Sequence, residues 1–242
     1  MTTSPSVTPR LGRTRSGAGQ PPAGAAADRT RMLLACGAIA SPLWVVTVVA
    51  QALTRSGFSL TRDAASLLDN GGLGWIQVAN FIVTGLLFIA AAAGLRRALR
   101  DGPGSRWTPR LLTITGAGFV AAGVFHPDPS SGYPPGTPPG ASAVSSWHGV
   151  LHQVCSSTGF LALIVFCFVL GRRYRASGQP TAAAASMAAG ALFALSVVTA
   201  GAVPHGSLTL FIGVSIALLW LAFTATWLIR GAPERQGRPG SE

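Results

Sequence analysis

Four histidines, two polar helical stripes and one aspartate hold most of the chemistry available to this chain. His148 and His152 are four residues apart, so on a helix they share one face, and Ser156 continues that face one turn further. Gln77, Asn80 and Thr84 make a second stripe of the same kind. Two chemistries compete for these residues. In one, His148 and His152 ligate a metal, as histidines at i, i+4 do on zinc-binding helices, and His126, His205 or Asp128 completes the shell. A zinc ion held there would activate water, making the protein a metal-dependent membrane hydrolase. No glutamate of the HExxH kind accompanies the pair, so the general base would come from elsewhere. In the other chemistry, the same side chains hydrogen-bond near a wet helix end and line a polar pocket for a small amphiphile or lipid.

Apolar helices must position these groups. Of 242 residues, 49% are hydrophobic and 10% charged, and mean hydropathy is +0.45. An ordinary soluble domain carries roughly 25% charged residues, so that class is excluded. A membrane helix needs about 20 mostly apolar residues. Six segments supply them: 32–54, 75–95, 107–126, 147–171, 181–203 and 209–229. The third has an uncharged core of only 111–126 and reaches Trp107 if Arg110 snorkels outward. The fold class is therefore an all-α, six-helix membrane bundle over 31–230. The 32–54 run is longer than a secretory h-region and follows about thirty residues, so it is read as a retained helix rather than a cleaved signal.

Charge sets the expected orientation. All eighteen basic residues are Arg. Sixteen lie in the N-terminal tail, 96–110, 172–180 and the C-terminal tail. The alternate loops, 55–74, 127–146 and 204–208, carry only Arg55 and Arg62. That asymmetry is a positive-inside signal. It places both termini in the cytoplasm, the chain in the cytoplasmic membrane, and all four histidines at outer helix ends. The net charge of +11 then records topology against an anionic leaflet, not a nucleic-acid partner. No Asp, Glu or Arg lies well inside a span, which argues against an ion pump built on buried carboxylates.

The tails, 1–30 and 231–242, are too poor in large apolar residues to bury a core and read as disordered. The run LTRDAASLLDNGGLG reads as a short interfacial helix capped by Thr61 and ended by Asn70-Gly71. The next outer loop has six prolines between Pro127 and Pro139 and reads as irregular chain able to fold over the bundle mouth. Ser186, Gly190 and Ala194 recur every four residues, a small-residue seam for a second helix. That helix belongs either to this chain or to an oligomer, and the latter makes the protein a structural subunit of a membrane complex. Cys36, Cys155 and Cys167 make no disulfide framework, and GxSxG, P-loop and CxxC signatures are missing.

SLLDNGGLGWIQVANFIVTGLL (66–87), FHPDPSSGYPPG (125–136) and WHGVLH (147–152) together resemble the domain-of-unknown-function 998 family, six-helix bacterial membrane proteins. The resemblance spans about 32–229. It implies six helices and draws Asp128 and Tyr133 into the candidate site beside His148 and His152. His126 departs from the family pattern before the Asp-Pro pair, which weakens a four-histidine metal site. The functional expectation is a membrane protein that binds or moves an amphiphile or lipid through an outward pocket lined by Gln77, Asn80, Thr84, Asp128, Tyr133, His148, His152 and Ser156.

Overall fold

The computed structural model describes residues 23–140, 142 and 144–231. Six α-helices run in order: α1 (Ala23–Thr54), α2 (Gly74–Ala98), α3 (Trp107–Val124), α4 (Trp147–Ala176), α5 (Pro180–Thr199) and α6 (Gly206–Gly231). A short 3₁₀ helix (Ala65–Asp69) lies between α1 and α2, and no strand occurs among the described residues. All helices but α3 are long and apolar enough to cross a membrane. Apolar side chains such as Val46, Leu86, Leu161 and Leu195 point outward, while Gln51, Gln77, Asn80, Thr84, Thr115 and Ser186 are buried. An apolar outer surface, with polar side chains buried among an apolar core, departs from the pattern of soluble proteins. The chain is a multi-pass membrane protein.

Each helix packs on its neighbours in sequence, and α6 closes on α1, so the bundle is a ring. Short connections at one end (99–106 and 177–179) make consecutive helices antiparallel neighbours. The other end carries the longer segments 55–73 and 125–146. Helices in lipid approach closely only where side chains are small. At the α2–α3 crossing, a Cβ on Gly85 would lie 2.5 Å from the Gly116 carbonyl oxygen, and one on Gly116 would lie 2.6 Å from that of Gly85. Ser186 Oγ donates to the Cys167 carbonyl at 2.7 Å, and a Cβ on Gly190 would lie 2.9 Å from Cys167 Cβ. Ser186 and Gly190 of the α5 small-residue seam thus meet α4 of the same chain.

Several boundaries differ from expectation. Helix α1 begins at Ala23 rather than near residue 32. Its first turns are Ala-rich, the best helix former, and Asp28 faces Arg31 at i, i+3. So 23–30 is helix where a disordered tail was expected; the rest of both tails lies outside the described residues, apart from Gly231, which ends α6. Helix α5 stops at Thr199, before Gly201 and Pro204, rather than at 203. Thr61 caps nothing: its hydroxyl pairs with Ser59, and the 3₁₀ helix starts after Ala64 without a side-chain cap. Leu67 and Leu68 of that helix belong to the buried core rather than to an interface.

Candidate functional site

At the long-loop end, aromatic rings from five helices surround a cavity of about 130 Å³. Trp44 of α1 packs against Phe81 of α2, Phe119 of α3 and Phe211 of α6 at centroid distances of 6.4, 6.0 and 5.8 Å. Phe160 and Ser156 of α4 and residues 64–66 complete the wall. Glycine lets α3 and α4 meet here, since a Cβ on Gly118 would lie 2.9 Å from the Cys155 carbonyl. A wider groove of about 480 Å³, carrying Arg62, Asp128 and Ser130, adjoins the cavity. The two share Ala64, Ser66, His152, Gln153 and Ser207.

His152 stands at that junction, buried, and its chemistry follows from its partners. Its Nδ1 lies 2.8 Å from the Phe125 carbonyl and 3.1 Å from that of Ala122. Carbonyls only accept, so Nδ1 carries the proton and Nε2 of the neutral ring is left as an acceptor. Trp44 adds a donor, because its Nε1–H is buried without a protein partner. The site is therefore aromatic within, with the Trp44 donor inside the cavity and the His152 acceptor, beside Ser66, Gln153 and Ser207, where the cavity meets the groove.

The other expected site residues are placed differently. Gln77, Asn80 and Thr84 are buried but turn toward α1. Asn80 Nδ2 donates to Gln77 Oε1 at 3.2 Å, Gln51 Nε2 donates to the same oxygen at 2.7 Å, and Thr84 Oγ1 donates to Asn80 Oδ1 at 3.4 Å. None of the three lines the cavity. They and the α4 stripe were expected to line one pocket, but α3 stands between α2 and α4 in the ring. The α2 stripe is a helix–helix lock.

Asp128 serves the start of α4. It accepts from the backbone N–H of Ser146, the N-cap residue, at 2.9 Å, and Ser146 Oγ accepts from Gly149 N–H at 3.0 Å. Hydrogen bonds from Ser146 hold the Asp128 carboxyl below its usual range. A carboxylate at a helix N-terminus also meets the positive end of the helix dipole. Tyr133 is buried edge-on against Phe58, and its hydroxyl accepts from Arg55 at 3.1 Å. Asn70 Nδ2 donates to the Pro127 carbonyl at 3.2 Å. These two bonds fold the proline-rich loop onto the 55–73 segment.

The histidines do not converge. His148 stacks on Trp147, with centroids 3.5 Å apart. His126 is exposed after the end of α3. His205 is exposed at a left-handed turn (φ 59°) before α6. Among the described residues, no three His, Cys, Asp or Glu side chains come together as a metal shell. The set His148, His152, His126, His205 and Asp128 therefore lacks zinc geometry, because α3 and α4 turn His152 to backbone carbonyls while His148 packs on an indole.

Residue spacing did not reveal Arg55, Gln51 or the aromatic wall. Arg55 donates to Gln51 Oε1, to the carbonyls of Leu68, Asn70 and Leu73, and to Tyr133, tying α1 to both loops. A signal was present: Trp44, Val48, Gln51 and Arg55 recur at four, three and four residues, one face of a helix. No curated protein and no solved structure matches the chain. The family described as "Protein of unknown function (DUF998)" matches residues 38–228, which cover the ring of helices and the site just described, and the chain belongs to that family.

Proposed function

We propose that this is a six-span protein of the cytoplasmic membrane, with both termini inside, that binds a small amphiphile at its outer end. The observation that carries the reading is the aromatic cavity opening beside His152 onto a wider groove. Size limits the occupant. An engineered cavity of about 150 Å³ takes one benzene ring, so a space of about 130 Å³ takes a ring or a short alkyl end. The rest of the molecule lies in the groove. His152, at the junction of cavity and groove, suits a head that donates, such as a hydroxyl or amide. No cation or carboxylate lines the inner cavity, so a fully charged group there would lack a counter-ion.

Sixteen Arg on one side against two on the other support the orientation. Helix α3 counts as the sixth span because candidate spans flank it on both sides. Its eighteen residues rise about 27 Å, close to the hydrocarbon thickness.

Binding is tested by extracting the full chain, purified in a mild detergent, with organic solvent and identifying stoichiometric amphiphiles by mass spectrometry. Ser156→Phe, which fills the cavity, is expected to abolish the bound species, and Ser156→Ala to keep it. A wild-type extract with no stoichiometric amphiphile, or equal retention by the filled variant, overturns the reading.

A further inference from the structure

The opposite end of the bundle holds a second concavity. The end of α2 and the start of α3 form a groove of about 620 Å³. Four guanidinium groups line it: Arg96 and Arg100 from α2 and its following residues, Arg106 and Arg110 from the start of α3. Ile89, Ala92, Ala93, Leu99 and Pro109 supply an apolar floor. Among the described residues, the ion pairs lie elsewhere, Asp28 with Arg31 and Asp63 with Arg62, so none of these four is ion-paired, and Asp101 is the one carboxylate in their connection. Arg110 sits 5.6 Å over the exposed Trp107 ring, the side chain that seats at headgroup depth in a bilayer.

The connection between the two helices is held in place. Arg173 of α4 donates to the carbonyls of Asp101 and Pro103 at 2.7 and 3.2 Å. Gly104 has φ +77°, and a Cβ there would lie 2.8 Å from Val169 Cγ1. The rim is thus packed against α4, and the four cations gather at one mouth.

We propose that this groove binds an anionic phospholipid, its phosphate among the four guanidiniums and one acyl chain along the α2–α3 floor. A guanidinium suits phosphate because its fork can donate two parallel bonds. Basic pockets between spans are the usual seats of anionic headgroups. An apolar floor continuous with the cationic mouth favours a lipid over free phosphate, which has nothing to place there. The site is separate from the outer cavity, and its test does not depend on that cavity being filled.

The test is native mass spectrometry of the full chain in a neutral detergent, titrated with dioleoylphosphatidylglycerol, with dioleoylphosphatidylcholine and inorganic phosphate as separate arms. The first phosphatidylglycerol is expected to bind well before phosphatidylcholine. Arg96→Gln/Arg110→Gln should weaken it about thirtyfold, roughly fivefold for each cation lost near an anionic headgroup. Arg100→Gln/Arg106→Gln is a second, independent pair. Arg172→Gln/Arg175→Gln removes the same charge at the same end, outside the groove, and should leave binding within about twofold of wild type. Ala93→Phe, which fills the floor and keeps every cation, should also lose the first lipid. Equal weakening in the control pair, no preference over phosphatidylcholine, or displacement by inorganic phosphate each overturns the proposal.

Discussion

Asp69 is buried, and neither carboxylate oxygen has a hydrogen-bond partner in the protein. Arg55 is close, yet its bonds go to the carbonyls on either side of Asp69 rather than to the acid. Burial pushes the carboxyl up to about 8, with the Arg55 charge pulling the other way. The unfolded chain releases this proton near 3.8, the folded chain near 8. Between those values the folded state binds more protons, so stability falls as pH rises through the window. Thermal melts of the detergent-solubilised protein should therefore drop between about pH 6 and pH 8. Asp69→Asn should flatten that dependence and melt higher than wild type at pH 8. A wild-type melt that rises with pH, or a variant with the same slope, defeats the assignment. The sequence showed Asp69 only as one more charge in an outer loop. Its burial comes from the packing of the 3₁₀ helix on α2 and α1, which no local pattern encodes.

At the level of helices, the start of α4 shows how one element is set. The chain enters it through Asp128, Ser146 and Gly149, and a Cβ on Gly149 would collide with Asp128 Oδ2. Gly149→Ala must displace the carboxylate, and Asp128→Ala removes it. Each should cost about 1 kcal/mol, the worth of a helix N-cap. Asp128→Asn, whose amide oxygen can still accept from Ser146, should cost less. Denaturant or thermal unfolding of the three variants checks this order, and an Asp128→Asn variant as impaired as Asp128→Ala would contradict a capping role. The helices themselves were largely legible. Apolar runs without charge placed the starts of α2, α4 and α5 to within a residue, because lipid demands long uncharged stretches, whereas α3 reaches Trp107 only with Arg110 inside its first turn. Their ends were less so, since Arg96, Arg97 and Arg173 continue helices past the apolar run. The faces were least legible. The stripe of Gln77, Asn80 and Thr84 had the right period, but period does not say which neighbour it meets, and that neighbour is α1.

For the molecule as a whole, the two proposed sites use cavities at opposite ends of one ring, and they fall on opposite sides of the bilayer only if α3 crosses it. Exposed tryptophans mark both ends: Trp75 and Trp147 at the long-loop end, Trp107 and Trp227 at the arginine-rich one. Two aromatic levels with apolar surface between them match a bilayer with two interfaces. Helix α3 begins at one level with Trp107 and ends beside the other, where Phe125 meets Trp147 at 6.3 Å. It is buried between α2 and α4 on much of its surface, so it needs less hydropathy than a lipid-exposed span, and its Arg110 is placed to reach the headgroups. Cysteine labelling in intact cells decides the matter. With Cys36, Cys155 and Cys167 replaced, single cysteines at the exposed positions Asp101 and Ser145 flank α3. A membrane-impermeant maleimide should label Ser145→Cys in intact cells and Asp101→Cys only after lysis. Labelling of both from the same side would mean that α3 does not span, and would remove the separation of an outer amphiphile cavity from an inner anionic-lipid groove.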